Sequence, residues 1–211
     1  MTKGFMAIII LMVAMFVSMG CSQTVSEPVP TPTPVPERTL VPAPTPESPV
    51  STVLPSALAL QLSDIPEDYI LKDRADTIYQ EQSPLSRDLG WRMGYSVTFY
   101  RVNLVRYDLT GLQQIIDVYP IRNMNKVFDM AQDEMESRAD GTITVYEIPL
   151  YRIGDQSIAY KTQDPSDPGH PAIYSILFMK KDVFEKLEMG GTTTDYETLK
   201  QIANTAAGKI R

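Results

Sequence analysis

The chain has 211 residues, a formal net charge of -7 and 43% hydrophobic residues, enough for one ordinary domain plus extra segments. Residues 57–211 hold 17 Lys+Arg against 23 Asp+Glu. That balance argues against a sequence-independent nucleic-acid binder, which needs clustered cations to neutralise phosphates, and against electrostatic docking on anionic lipid. A single cysteine excludes an internal disulfide and a Cys-rich metal site.

Residues 1–21 read MTKGFMAIIILMVAMFVSMGC. Lys3 supplies a short positive region, and Phe5 to Val17 is an unbroken apolar run. A bilayer span takes roughly 20 apolar residues, so this run is short for a membrane helix and suits the apolar part of an export signal. Ser18, Met19 and Gly20 then lead to Cys21. The arrangement resembles a lipoprotein signal peptide over residues 1–20. The resemblance implies that Cys21 becomes the new N-terminus and carries a diacylglyceryl thioether. Gly20 and Cys21 fit that pattern, whereas Ser18 stands where Leu or Val is usual. Two other readings stay open: an ordinary cleaved signal beside an incidental cysteine, or an uncleaved segment acting as the anchor. All three place the rest of the chain outside the cytoplasm. Two acyl chains anchor stably where one does not, so the lipid on Cys21 would hold the protein on the outer face of the cell membrane.

Residues 21–56 form a Pro/Thr-rich tether. Pro28, Pro30, Pro32, Pro34, Pro36, Pro42, Pro44, Pro46, Pro49 and Pro55 all fall there. Proline fixes φ and removes the amide donor, so neither helix nor ladder forms and an extended polyproline chain is expected. Stretched at about 3.1 Å per residue it spans on the order of 100 Å. A PxxP ligand for a partner domain is the competing reading.

From Ala57 the composition changes to that of a globular domain, residues 57–211. Leu58, Leu60 and Leu62 alternate as in a strand, which turns at Ile65-Pro66. Trp91 opens WRMGYSVTFYRV, where Met93, Tyr95, Val97 and Phe99 share one face of a half-buried strand. LQQIIDVYP follows, and the two predict an antiparallel hairpin. The period then changes: Met124, Val127, Phe128, Ala131 and Met135 make a helical stripe over 123–138, with Asn123 or Asn125 as its cap and Asp140-Gly141 as its stop. Short strands are predicted at 142–148, 157–162, 172–179 and 182–189, with a tight turn at Lys180-Lys181-Asp182. A last helix covers 195–209, with Thr194 and Glu197 as a capping box. Strands in runs predict α+β, a largely antiparallel sheet packed against two main helices. AIYSILFM, apolar on both faces, belongs near the sheet centre.

Asp64-Ile65-Pro66, Gly90-Trp91, the middle helix, Ile153-Gly154-Asp155 and the last helix together resemble small prokaryotic, especially archaeal, lipoproteins with a Pro/Thr tether. The layout is similar to the PsbP-like sandwich. The resemblance covers residues 57–211 and brings no catalytic residues with it, and a fold by itself does not settle function.

Candidate chemistry is sparse. His170 is the only histidine and sits in a proline-rich loop without a nucleophile in its motif. Asp164 and Asp167 lack the regular oxygen ligands of a calcium loop. Asp129, Asp133, Glu136 and Asp140 line one side of the middle helix and read as its solvated face. Arg92, Tyr100, Arg101, Arg106, Arg122 and Arg152 would make an anion site only if the fold collected them. Trp91 reads as a core anchor, Gly154-Asp155 as a turn, and Gly190-Gly191 as a loop hinge. The expectation is a membrane-anchored, non-catalytic binding or interaction domain that uses no cofactor or metal. The alternatives are an accessory subunit of an envelope complex, with an envelope protein as partner, and a hydrolase with paired carboxylates.

Overall fold

The computed structural model describes residues 53–105, 108–166 and 171–211, all within the unit Thr45–Arg211. The export signal, Cys21, the proline ladder up to Pro49, and Arg106, Asp167 and His170 lie outside the described residues.

Seven strands build one sheet: β1 (Tyr69–Thr77), β2 (Met93–Asn103), β3 (Asp108–Val118), β4 (Thr144–Ile148), β5 (Gln156–Gln163), β6 (Ile173–Lys180) and β7 (Val183–Gly191). Their spatial order is β1-β2-β3-β7-β6-β5-β4, and every pairing is antiparallel. The predicted hairpin is β2–β3, with Val97 opposite Gln114 and Phe99 opposite Leu112. The turn predicted at Lys180-Lys181-Asp182 closes β6 onto β7, with Lys181 at φ 58.

Among the described residues four helices accompany the sheet: α1 (Pro55–Leu58), α2 (Pro84–Asp88), α3 (Met124–Glu136) and α4 (Tyr196–Lys209). The two predicted stripes are buried as expected, but against opposite faces. Met124, Val127, Phe128, Ala131 and Met135 of α3 pack with Leu177, Met179 and Phe184. Leu199, Ile202, Ala203 and Ala206 of α4 pack with Phe99, Ile116, Ile176 and Phe178. Successive residues of β6 therefore alternate between two cores, which is why AIYSILFM is apolar on both faces. It lies beside the central strand, β7.

Four expectations are corrected. Residues 58–62 are not a strand. Pro55 occupies the first turn of α1 and a short 3-10 turn follows at Leu62–Asp64; a proline there presets helical φ. Leu58 and Leu60 are buried at 3% and 2% exposure, but Leu62 is 50% exposed, so the alternation is not a buried face. The first strand is β1, exposed along nearly its whole length. Its period-2 signal is absent because it is an edge, with Lys72 bulged out of register and Asp73, Arg74 and Asp76 beside it. Charges and bulges are how an edge avoids further pairing.

The helix caps also differ. Asn123 does not cap α3; its amide donates to the Leu89 carbonyl at 2.8 Å. Asp195, not Thr194, caps α4, accepting from Glu197 N at 3.0 Å and Thr198 Oγ1 at 2.6 Å. Thr194 instead donates to the Ala172 carbonyl. Finally, Gly190-Gly191 is no loop hinge. It is the end of β7, paired with Gly111 and Thr110. A Cβ on Gly191, whose φ is 133, would sit 2.1 Å from the Leu109 carbonyl oxygen, so the close backbone approach requires glycine.

Candidate functional site

Helix α3 lies over β6 and β7 and leaves the same face of β1, β2 and β3 without a helix. There the pleat presents Ala75, Thr77, Ser96, Gln113, Ile115 and Asp117, joined by Lys186 from β7. Polar side chains on one face of otherwise apolar strands are what an uncovered face demands. One wall of the resulting cleft is α3, through Met130, Asp133 and Glu134. The other is the segment 79–91, through Glu81, Gln82 and Ser86. The open cleft has a volume of about 930 Å³, within the size range of small-molecule sites.

The segment 79–91 is held by local chemistry. Ser83 caps α2 by accepting from Ser86 N at 3.0 Å, with Pro84 behind it. Ser86 and Tyr119 share a hydrogen bond of 2.6 Å between their hydroxyls. Gly90 turns the chain at φ 83, and the Asn123 amide fastens the Leu89 carbonyl. Trp91 is therefore delivered behind the cleft floor, against Asp117. It is 6% exposed within the α3 core, as predicted, but its indole also makes a polar contact, in which Nε1 donates to Asp117 Oδ1 at 2.6 Å.

Asp117 is 9% exposed. Burial raises its pKa to about 6, against the opposing effects of the Trp91 hydrogen bond and the charge of Lys186. Its second oxygen has no hydrogen-bond partner among the described residues. Burial likewise pushes the Tyr119 hydroxyl well above its usual range, so it stays a neutral donor.

A second buried carboxylate stands on the other face. Glu185 is fully buried, and one oxygen accepts from Gln114 Nε2 at 2.7 Å. Gln114 Oε1 in turn accepts from Leu60 N at 2.8 Å. The other Glu185 oxygen is buried without a partner among the described residues. Desolvation raises its pKa to about 8, against the lowering effects of Gln114 and Lys209. Lys209 closes the same corner, bridging Asp64 at 2.6 Å and donating to the Ala59 carbonyl at 3.0 Å. This group is sealed under the segment 55–64 and belongs to the scaffold.

The fold does not collect the arginines. Arg101 is clamped at the far end of β2 by Asp68 and the Thr193 carbonyl, while Arg152 is fastened to the Asp155 carbonyl. Arg92 precedes β2, nine residues from Arg101, or about 30 Å along an extended strand. Tyr100 points to the face opposite Arg101. Asp164 accepts from Ser166 N and Ser166 Oγ, a local turn. Asp129 and Glu136 are solvent-exposed as expected, but Asp133 from the same line borders the cleft. No group of three or more His, Cys, Asp or Glu is placed to hold a metal ion among the described residues.

Asp117 and Glu185 were not singled out by sequence reasoning. The available signal was a lone acidic residue inside an apolar strand, IID in β3 and VFEKL in β7. Such a residue is either a solvated alternate or a buried group, and only the strand neighbours decide.

No protein-family model matches the chain, and no curated protein matches it. A solved structure does: the extracellular domain of PknH from Mycobacterium tuberculosis has a TM-score of 0.57 and 12% sequence identity, over 73% of this chain and 93% of that one. At that identity the likeness shows the fold alone. The chain thus carries an α+β domain whose seven-stranded sheet shares its fold with that solved domain. No helix among the described residues is long and apolar enough to cross a membrane.

Proposed function

We propose that residues 57–211 are the extracytoplasmic, non-catalytic ligand-binding domain of a protein held on the outer face of the cell membrane by a lipid on Cys21. The cleft between α3 and the segment 79–91 is its ligand site. The observation that carries this reading is the cleft itself. Its polar floor is left open by the placement of α3, and its base holds a buried carboxylate with one oxygen free. Concave sites with a few convergent polar groups are where small ligands bind. The fold shared with an extracellular domain supports the compartment, as does the apolar run ending at Gly20-Cys21. The kinship to Pro/Thr-tethered lipoproteins with a PsbP-like domain belongs to the same proposal. The tether then places the cleft at a distance from the membrane.

Trp91 is the only tryptophan and bonds to the cleft floor, so its fluorescence reports on the site. A small-molecule screen against the full chain in detergent is expected to yield ligands that shift Trp91 emission and raise the melting temperature. Ligands that stabilise the protein while Trp91 stays silent, with Ser96→Trp not blocking them, place the site elsewhere. For the anchor, Cys21→Ser is expected to abolish lipid labelling; unchanged labelling and fractionation would defeat it.

A further inference from the structure

The cleft's electrostatics say more about what fits it. The ionisable side chains on its walls and floor include Glu81, Asp117, Asp133 and Glu134 against Lys186. A concave surface with one prevailing sign of charge concentrates ligands of the opposite sign. At the base stands Asp117, about nine-tenths buried, with one oxygen satisfied by Trp91 and the other unpartnered. That oxygen, unlike the sealed Glu185 oxygen, is reached from the cleft, so a ligand N–H there can donate to it in place of water. The groups around it come from every neighbouring element: Thr77 on β1, whose Asp76 points to the other face, Glu81 and Ser86 on the segment 79–91, Asp133 and Glu134 on α3, Lys186 on β7, and Tyr119 after β3. Among these, only Lys186 is cationic. Tyr119 and Phe184 add aromatic surface to the lining, which suits the alkyl and cationic parts of an organic amine.

We infer that the cleft selects a small organic cation, an amine or guanidine, whose N–H groups donate to the free oxygen of Asp117. This rests on the cleft being the ligand site. Asp117 is then the specificity residue, and Trp91 a positioning residue that occupies the other oxygen and orients the carboxylate. Lys186 opposes a cation and limits affinity. The raised pKa of Asp117, about 6, makes recognition pH-dependent. Above that value the carboxylate is charged and pairs with the cation; below it the acid is neutral and the pairing is lost.

The test uses the full-length protein in detergent, read by Trp91 fluorescence and calorimetry. Probes built on a four-carbon chain separate charge from shape: putrescine as a cation, agmatine as its longer guanidine counterpart, 1,4-butanediol as the neutral analogue, succinate as the anion. Both cations are expected to bind at least tenfold tighter than butanediol, and succinate weakest. Asp117→Asn keeps an acceptor for Trp91 and is expected to weaken the cations at least tenfold and flatten their pH dependence between pH 5 and 7. Lys186→Gln is expected to tighten the cations about threefold, an effect no merely structural role produces. Equal binding of putrescine and butanediol, preference for succinate, or loosening of the cations by Lys186→Gln would each overturn the cation assignment while leaving the cleft as a ligand site. Silence toward all four probes overturns the assignment too. The cleft reading falls separately, only if the wider screen leaves Trp91 silent as well.

Discussion

Asp117 and Glu185 sit on opposite faces of the same sheet, on adjacent strands, and illustrate two ways of keeping a carboxylate out of water. Glu185 is closed beneath the segment 55–64 and α4, with Gln114 as its single donor. Asp117 is screened by neighbours on three sides but keeps one oxygen toward an open cleft. Both pKa values are raised by desolvation, to about 8 for Glu185 and about 6 for Asp117. The difference follows the covering. A helix and a strap close over Glu185 on one face, and α3 leaves half of the other bare. A sealed carboxylate is part of the scaffold and costs stability when charged. A half-sealed one can be completed by a ligand.

The largest contrast should come from two neighbours on β3. Ile116 is fully buried on the sealed face, whereas Ile115 is partly exposed on the cleft floor. Ile116→Ala is expected to destabilise by about 3–4 kcal/mol through lost contacts and a residual cavity, and Ile115→Ala by about 1 kcal/mol. Urea unfolding at constant pH measures both, and equal costs would mean that the cleft face is as closed as the other.

Next comes Glu185. In the folded chain it holds its proton up to about pH 8, whereas its ordinary value is 4.5. The folded state therefore binds more protons across that window, and stability falls as pH rises from about 4.5 to 8. Glu185→Gln resembles the protonated acid and should remove this dependence, leaving the variant more stable than the parent at pH 8 by roughly 4 kcal/mol. Parallel melting curves for the two proteins from pH 5 to pH 8 would refute the sealed arrangement.

Asp117 carries the same sign over a narrower window, from 3.8 to about 6. Its stability loss with rising pH should be smaller, about two-thirds that of Glu185, and absent in Asp117→Asn. A larger dependence for Asp117 than for Glu185 would reverse the comparison. The smallest expected effect lies outside both sites. Asp195→Ala removes the cap of α4 and should cost about 1 kcal/mol, while Thr194→Val, which spares that cap, should cost less. Thermal denaturation of the two single variants decides which residue caps the helix.

Much of the scaffold was readable. Alternating or apolar runs placed β2 to β7, and period-3.6 stripes placed both long helices, because burial is what writes a pattern into sequence. Where that cause was missing the pattern failed. Strand β1 is exposed on both sides, so YILKDRADT showed no alternation. Residues 58–62 alternate, yet Pro55 and the Gln114 side chain draw the backbone into a strap. Asn123 and Thr194 had capping chemistry but found tertiary partners in Leu89 and Ala172.

By itself the sequence determined the acidic balance, the α+β class, the two amphipathic helices, and the expectation of an exported, tethered chain read from residues 1–56. Those properties are local or additive, so they survive being read one residue at a time. Only the tertiary structure decided that the two helices take opposite faces, that α3 leaves β1–β3 open, and that Trp91, Tyr119 and Asp117 meet there. Asp117 lies 26 residues from the indole that binds it. A site made by contacts of that range depends on register and on which face a helix covers, and neither is stated by any one segment of the chain.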